Sequence, residues 1–508
     1  MKSSQRVFVN TIAQYVRTGI VMLLTLYIVR VVLATLGQSD YGIYTVVAGC
    51  VAMLGFLTNS LVKTTQRFVS FYQGKKDVAM LKNVFNNCLV VHILIGFFVV
   101  ILLEVLSPFF FNGFLNIPPD RLESASVVYH FVVALLFVTI ITSPFRALLI
   151  SHENIIYISF IDVLDIVLKV SLVLFMKHIT FDKLIFYSVI MLGVQLFNFL
   201  ALSLYCYKKY EECILPQVGK LRLEFVKEMG LFAGWQVYGT ACIIGRDQGL
   251  SIVLNKAFDT IINAGLGIGL QISGATNTLA TAITNAMSPQ IVKAEGAGER
   301  GRTIWLSNVL SKMVFFLVSI LGIPLIFELP EILDVWLGDY PESAVLFGRM
   351  YIIALMADSL TIGLTHINNA IGNIGKYILI MNTPKLLSIL FVVIMLKLNS
   401  PLLYVCYLYV GIELICAFVR VPLIKEQAGL SVRDFFSTVI LMEIIPIASC
   451  VMFCSIMLLF FDFGYRFIVT FAISAFIYSV FMYLFGFTKR EKNIINTLLK
   501  EVKCKIIK

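Results

Sequence analysis

The stretch VFNNCLVVHILIGFFVVILLEVLSPFFF, residues 84–111, decides the fold of this chain, because Glu104 is its only acidic or basic side chain apart from one histidine. A helix that crosses a bilayer needs about 20 mostly apolar residues. Comparable stretches follow one another from Asn10 to Phe487, separated by short polar loops. The sequence therefore predicts an all-helical protein that crosses the membrane many times.

The composition excludes a soluble globular protein. Of the 508 residues, 59% are hydrophobic and 14% are charged, and the mean hydropathy is +0.91, whereas soluble domains carry about 25% charged residues. The polar blocks between the apolar stretches are too short to fold as separate domains. We therefore expect nearly the whole chain to lie in the bilayer.

The apolar stretches predict about 14 transmembrane helices, arranged as two six-helix lobes and two further C-terminal helices. The predicted division is an N-terminal lobe at 1–207, a basic connection at 208–227, a C-terminal lobe at 228–425, two helices at 426–488 and a tail at 489–508. The predicted spans are 10–33, 41–62, 84–111, 125–149, 155–176, 184–207, 228–254, 261–287, 304–327, 344–371, 377–396, 401–424, 439–461 and 467–487.

The charge distribution predicts the orientation of the chain. It has 40 basic and 30 acidic residues, and in a membrane protein such an excess indicates cytoplasmic loops rather than nucleic-acid binding. If the N-terminus is inside, the loops on that side hold most of the basic residues, and among them we count Arg146 and Arg420. The longest loop on the other side, 328–343, is acidic. The positive-inside rule then places both termini in the cytoplasm.

The C-terminal tail, 489–508, combines apolar residues at helical spacing with lysines on the other face. This pattern predicts a basic amphipathic helix on the anionic inner leaflet. The alternative is a charged tail that is merely solvated.

Two offsets suggest an internal repeat. A shift of 224 residues places Thr65-Gln66 over Pro289-Gln290, and a shift of 220 places Tyr157 over Tyr377 and Asp165 over Lys385. Six spans separate the copies, so both lobes have the same orientation in the membrane. The two predicted lobes are therefore parallel repeats, unless the few identities reflect chance similarity between apolar helices.

Charged residues at bilayer depth are costly and are therefore the first candidates for function. In the first span, Gln14 and Arg17 share a helical face, and in the seventh span Asp247 lies beside Arg246. If the lobes face a central cavity, Arg17 and Arg246 can present cations to an anionic substrate. The alternatives are snorkelling of Arg17 to the interface and a buried ion pair for Arg246.

Acidic residues in other spans predict a polar lining of the central cavity and coupling of transport to a cation. The fifth span has Asp162, Asp165 and Lys169 on one face; its repeat partner has Lys385, and the tenth span has Asp358. Each of these aspartates, together with Asp247 and Glu413, can exchange H⁺ or hold Na⁺ as access alternates. Desolvation alone can also keep a buried carboxyl group neutral and inert. A structural salt bridge between Asp165 and Lys169 is the alternative.

The eighth span is rich in polar residues, and Asn277 is its candidate for hydrogen bonds to sugar hydroxyls; helix packing is the alternative. The G-x-G-x-x-G pattern at 296–301 does not follow a strand, and no P-loop occurs. The histidines and ten cysteines show no metal-ligand spacing. We therefore predict a transporter without cofactor or metal rather than an enzyme.

Two segments resemble a known family. The run RVVLATLGQSDYGIY, residues 30–44, and the segment GLGIGLQ, residues 265–271, which leads to MSPQ at 287–290, resemble the polysaccharide flippases of the multidrug, oligosaccharidyl-lipid and polysaccharide (MOP) exporter superfamily. With the span layout, the resemblance covers nearly the whole chain.

The resemblance implies a flippase for isoprenoid-diphosphate-linked oligosaccharide in the bacterial cytoplasmic membrane, working by alternating access. It implies a role for Arg17 and Arg246 in a cationic cavity, and it implies contact with membrane lipids and polysaccharide assembly proteins. The drug-exporting branch more often has an acidic residue where this chain has Arg17. A cation-coupled multidrug exporter and, less favoured, a membrane glycosyltransferase or polymerase are the alternatives.

Overall fold

The computed structural model describes residues 3–52, 54–111, 117–176, 179–258, 260–493 and 495–497. Within these ranges every regular element is helical. Nine of the described helices are long and apolar enough to cross a membrane, and a bent helix pair makes a tenth such span. The prediction of an all-helical, many-span membrane fold is confirmed.

The chain divides into two compact units, and the boundary between them falls inside one helix, after Val237. The first unit, Val9–Val237, contains most of the first helix, five complete helices and the start of a seventh. The helices are α1 (Ser3–Ala52), α2 (Gly55–Lys75), α3 (Val78–Phe109), α4 (Leu122–Ser151), α5 (Ile155–Phe175), α6 (Lys183–Lys209) and α7 (Leu223–Ala257).

The described part of the second unit comprises residues 238–497, with the gaps given above, together with residues 3–8. It contains the rest of α7, a bent pair of helices at α10 and α11, and shorter C-terminal helices. The helices after α7 are α8 (Thr260–Gly296), α9 (Arg300–Leu337), α10 (Ser343–Ser359), α11 (Ile362–Ile371), α12 (Gly375–Lys397), α13 (Leu402–Ala428), α14 (Val432–Phe435), α15 (Leu441–Phe460) and α16 (Arg466–Phe481).

Two differences between the predicted spans and the structure bear on the fold. The helix α1 continues through the predicted loop between spans 10–33 and 41–62, with a kink at Gly37, where φ is 82°, a left-handed conformation that glycine adopts without steric cost. The second span is divided between α1 and α2. The predicted loop 328–343 is helical as far as Leu337. The helix continues because Glu328 is buried and accepts hydrogen bonds from Arg466 and Thr470, so its charge does not have to leave the protein interior.

Aspartate side chains define the start of two helices in the first unit. Asp77 accepts a hydrogen bond from the backbone N–H of Met80 at 2.9 Å, and Asp182 accepts one from Leu184 at 2.9 Å. Each bond satisfies a backbone donor that has no partner within the helix, a contribution of about 1 kcal/mol. These caps fix where α3 and α6 begin.

The core of the first unit lies among α1, α3, α4 and α6. Val47, Val128 and Tyr129 are completely buried there, and the Tyr129 hydroxyl donates to the Leu103 carbonyl at 2.6 Å. A second apolar cluster joins α1 to α5 and α6 and includes Val173. These contacts hold α1, α4 and α5 side by side, and those three helices carry the charged residues described below.

In the second unit, small residues let helices approach closely. A Cβ atom added at Gly269 of α8 would lie 2.9 Å from the backbone of Phe347 in α10. A Cβ at Gly363 of α11 would collide with the backbone carbonyl of Ser307 in α9. Close backbone contacts of this kind are typical of helix packing in membranes. Gly265 and Gly269, four residues apart on α8, therefore both lie against α10.

Candidate functional site

The first charged group lies inside the first unit, where two arginines share one carboxylate. Arg17 of α1 donates to Asp162 Oδ2 at 2.7 Å. Arg146 of α4 donates to both Asp162 oxygens, at 3.0 and 2.6 Å. The short turn between α4 and α5 makes these helices neighbours in space, which brings Arg146 to Asp162.

One turn further along α5, Asp165 extends this group. Its carboxylate lies 2.7 Å from the ammonium of Lys169, the contact expected for residues four apart on a helix, and it accepts a bond from Asn198 at 3.4 Å. We call Arg17, Arg146, Asp162, Asp165 and Lys169 the N-terminal cluster. It holds three cations and two carboxylates, so one positive charge is in excess.

The N-terminal cluster is partly open to its surroundings. The Arg146 side chain is 31% exposed and that of Arg17 is 24% exposed. Gln14, one turn before Arg17 on α1, is buried, and the buried Asn10 donates to the Glu153 carbonyl at 2.8 Å. The two guanidinium groups are therefore within reach of a ligand, whereas the polar residues before them are packed inside the unit.

The second charged group lies in the second unit around Glu413 of α13. Arg246 of α7 donates to Glu413 Oε1 at 2.5 Å, and Lys385 of α12 donates to Oε2 at 2.7 Å. Arg246 also bonds its neighbour Asp247 at 3.1 Å and stacks on the ring of Tyr409. This group ties α7, α12 and α13 together.

A further ion pair joins α13 to α10. Arg420 donates to the Asp358 carboxylate at 2.7 Å and to the Thr361 hydroxyl at 3.0 Å. We call Arg246, Asp247, Asp358, Lys385, Glu413 and Arg420 the C-terminal cluster. It holds three cations and three carboxylates, and its three cations and Glu413 are buried. The C-terminal cluster is therefore balanced in charge.

The structure does not bring Asn277 into either cluster. Asn277 lies exposed on α8, and its backbone carbonyl accepts a bond from Thr281 within the same helix. Among the predicted site residues, Arg17, Asp162 and Asp165 meet in the N-terminal cluster. Arg246, Asp247, Lys385 and Asp358 meet in the C-terminal cluster.

Arg146 and Arg420 are the residues that the sequence analysis assigned wrongly. It counted both among loop charges, but each lies within a helix and is paired with an aspartate. Both lie inside the predicted spans 125–149 and 401–424, about one helical turn before the span end, and the sequence analysis nevertheless counted them with the charges of the following loops. The available signal was that each arginine is followed by apolar residues about one helical turn later, which indicates that the helix continues past the arginine.

A separate ion-pair group lies where α4 and α6 begin. Arg121 donates to Asp40 at 2.9 Å and to Asp182 at 2.9 Å, and Ser124 donates to Asp182 at 2.8 Å. Burial acts to raise the pKa of Asp182, but the hydrogen bonds from Ser124 and Arg121 outweigh it and hold that pKa below its ordinary value. This group fastens the first helix to the loop before α6.

Within the described ranges, no group of three histidine, cysteine or acidic residues is placed to hold a metal ion. The two clusters contain only charged and polar groups that can form ion pairs and bind charged ligands. Partly exposed guanidinium groups bind phosphate or carboxylate oxygens, frequently through two parallel hydrogen bonds.

Solved structures show what the fold is similar to. A multidrug resistance MATE family transporter of the MOP superfamily in an outward-facing conformation aligns with a TM-score of 0.68 at 14% identity, over 84% of this chain and 96% of that chain. A MOP superfamily transporter from Pyrococcus furiosus, described as having a binding pocket of reverse polarity, aligns with a TM-score of 0.69 at 14% identity, over 86% and 97%.

A third structure, the MATE transporter ClbM in complex with Rb⁺, aligns with a TM-score of 0.69 at 13% identity, over 85% of this chain and 96% of that chain. Comparison with protein-family models and with curated proteins gives no match. The chain therefore has the fold of the MATE and MOP transporters, and at this identity the likeness shows the fold alone.

Proposed function

We propose that the chain is a membrane transporter that flips an isoprenoid-diphosphate-linked oligosaccharide across the bacterial cytoplasmic membrane, by alternating access, for surface polysaccharide synthesis. The proposal places both termini in the cytoplasm. It is supported by the transporter fold and by the resemblance of residues 30–44 and 265–271 to polysaccharide flippases.

The excess positive charge of the N-terminal cluster is the observation that carries this proposal. Arg17 and Arg146 compete for one carboxylate, that of Asp162, and both side chains are partly exposed. A diphosphate offers oxygens in the geometry that guanidinium groups bind well. It therefore supplies the negative charge that the cluster lacks.

We assign the remaining predicted residues within the same proposal. Asn277 is a candidate for hydrogen bonds to the head group, and Gln14, which is buried, can join it only when the helices around it move apart. Arg246 and Lys385 share Glu413, so a substrate anion can reach them only when that carboxylate moves away. Asp162, Asp165, Asp247 and Asp358 are the candidates for coupling to H⁺ or Na⁺ as the transporter changes state.

A second candidate function is cation-coupled export of organic cations. It is supported by the three carboxylates of the C-terminal cluster, because a cationic drug or coupling ion needs acidic partners. In the described structure each of these carboxylates already lies beside a basic side chain, so the cluster offers no excess negative charge. The first proposal therefore fits the charges better.

The test is extraction of lipid-linked oligosaccharides from cells that lack the protein. We expect the complete lipid-linked unit to accumulate on the cytoplasmic side, and we expect wild type but not Arg17→Ala or Arg146→Ala to relieve this. The matched control is Arg302→Ala, which removes an exposed arginine of α9 paired with Glu299 and should restore flipping fully.

Other outcomes of the same experiment separate the alternatives. Unchanged lipid-linked pools together with new sensitivity to organic cations would favour drug export. Accumulation of exported but unpolymerised units would point to an enzyme that acts on the same lipid carrier.

A further inference from the structure

A buried ion pair joins the C-terminal tail to the interior of the second unit. Lys312, on α9, is almost completely buried and donates to the carboxylate of Glu491. Glu491 lies in the helical residues 489–493 and 495–497 that follow the last span, which we call the tail helix. A tail that lay only on the membrane surface would not send a carboxylate into the protein interior.

The start of the tail helix is built around the same carboxylate. The Thr488 backbone N–H donates to Glu491 Oε2 at 2.8 Å, and the Glu491 N–H donates to the Thr488 hydroxyl at 3.4 Å. This reciprocal pair is a capping box, in which residues three apart satisfy each other's backbone donors at a helix start. Arg490 also stacks on Trp305 of α9 at 4.0 Å. Glu491 thus contributes both to docking of the tail helix and to its formation.

A second carboxylate lies within electrostatic range of Lys312. Glu443 of α15 is 1% exposed, and the groups that act on it are Tyr478 of α16, Lys312 of α9 and Glu491 of the tail helix. The Tyr478 hydroxyl donates to Glu443 Oε2 at 3.2 Å. Within the described residues, the other oxygen, Oε1, has no hydrogen-bond partner although it is buried.

The charges of this group do not balance when both carboxylates are ionised. One ammonium then faces two carboxylates in a buried site, and an ionised carboxylate with an unsatisfied oxygen is costly to bury. A proton on Glu443 removes this cost, because Lys312 and Glu491 then form a neutral pair. Loss of that proton gives Lys312 two anionic partners, only one of which lies on the tail.

We propose that Lys312, Glu443 and Glu491 form a proton-binding site that controls docking of the tail helix. With a proton on Glu443, Lys312 pairs with Glu491 and the tail helix is held on α9. When Glu443 releases its proton to the solvent, its carboxylate takes Lys312 from Glu491, and the tail helix is freed. The site is separate from both charged clusters, so it does not depend on the identity of the transported substrate.

The test is hydrogen–deuterium exchange of the tail-helix amides in the full-length protein in lipid nanodiscs, compared between variants at the same pH. At about pH 6 we expect wild type and Glu443→Gln to be equally protected. At about pH 9, the upper end of the range in which buried glutamates release their proton, wild type should exchange roughly tenfold faster than Glu443→Gln. Glu491→Gln should exchange fast at both pH values.

The matched control is Glu426→Gln, which neutralises an exposed glutamate of the same unit, paired with Lys376, and should follow wild type. Equal protection of wild type and Glu443→Gln at both pH values would overturn the proposal, and so would a protected tail in Glu491→Gln. Infrared spectroscopy gives an independent check. The C=O stretch of a protonated carboxylic acid should be present in wild type at about pH 6 and lost in Glu443→Gln; its absence from wild type would also overturn the proposal.

Discussion

The N-terminal and C-terminal clusters use the same kinds of side chain in different proportions. In the N-terminal cluster two partly exposed arginines share Asp162 and one positive charge is in excess. In the C-terminal cluster Glu413 is shared by Arg246 and Lys385, but two further aspartates balance the charge and the cations are buried. The difference teaches that a charge at bilayer depth indicates function only after its partners have been counted.

The largest effect, a loss of stability, should come from removing the central carboxylate of the C-terminal cluster. Glu413→Ala leaves Arg246 and Lys385 without their shared carboxylate, and uncompensated buried charge of this kind costs about 3–5 kcal/mol. We expect a loss of that size in the free energy of unfolding, measured by denaturation in detergent micelles.

The control for this prediction is Glu426→Ala, which breaks the exposed pair with Lys376 and should cost at most about 1 kcal/mol. If the two variants were equally stable, Glu413 would not be the centre of the C-terminal cluster.

Substitution of the two arginines that share Asp162 should have the next largest effect. The effect should be on substrate binding rather than on stability. Arg17→Ala or Arg146→Ala removes charge-assisted hydrogen bonds worth about 1.5–3 kcal/mol. We expect roughly ten- to hundredfold weaker binding of an isoprenoid diphosphate, measured by native mass spectrometry of the detergent-solubilised protein. Arg302→Ala should bind as wild type does, and equal binding by all three variants would remove the N-terminal cluster from substrate recognition.

One substitution should strengthen substrate binding and so separate the two clusters further. Asp162→Asn removes the carboxylate that competes with the substrate for Arg17 and Arg146. Partly exposed pairs are worth up to about 1 kcal/mol, so diphosphate binding should become roughly two- to fivefold tighter. The corresponding change in the other unit, Asp358→Asn, should not tighten binding, because Arg420 still has Thr361 as a partner. Weaker binding by Asp162→Asn would show that Asp162 orients the arginines and does not compete for them.

The smallest effect should be the pH dependence of the Arg121 group. Because its partners lower the pKa of Asp182 in the folded protein, the ionised carboxylate stabilises the fold above its unfolded pKa of about 3.9. That contribution is lost as the pH falls through the lower, folded pKa. Thermal denaturation below about pH 4 should therefore show a loss of about 1 kcal/mol or less.

Ser124→Ala is the control for the pH prediction, because it removes one of the hydrogen bonds that lower the Asp182 pKa. The acid sensitivity should shift to higher pH in this variant. An acid sensitivity identical to that of wild type would contradict the assignment.

Most of the helical architecture could be predicted from the sequence, because long apolar stretches have few alternatives in a bilayer. The predicted span 184–207 differs from α6 by a few residues at each end. The error at 328–337 arose because hydropathy treats Glu328 as a loop charge, while its partners Arg466 and Thr470 lie far along the chain. Partners at such distances in sequence have no local signal.

The site was predicted less completely for the same reason. Helical spacing identified Asp162, Asp165 and Lys169 as one face of a helix, which the structure shows. The role of Arg146 depends on the packing of α4 against α5 and α1, and a single sequence does not give that packing. Lys312 lies within the predicted span 304–327, so its charge at bilayer depth was a local signal that the sequence analysis did not use. The capping-box pattern of Thr488 and Glu491 also marks the start of the tail helix, but the pairing of Glu491 with Lys312 has no local signal.

The most direct test of the account is a flipping assay with the purified protein in liposomes that contain an isoprenoid-diphosphate-linked oligosaccharide. An added lectin detects the sugars as they become exposed on the other side of the bilayer. The account predicts that the double variant Arg17→Gln/Arg146→Gln, which removes both cations that pair with Asp162, loses at least about 90% of the wild-type flipping rate, while Arg302→Gln keeps that rate. Flipping by the double variant at the wild-type rate would contradict the claim that the excess charge of the N-terminal cluster recognises the substrate.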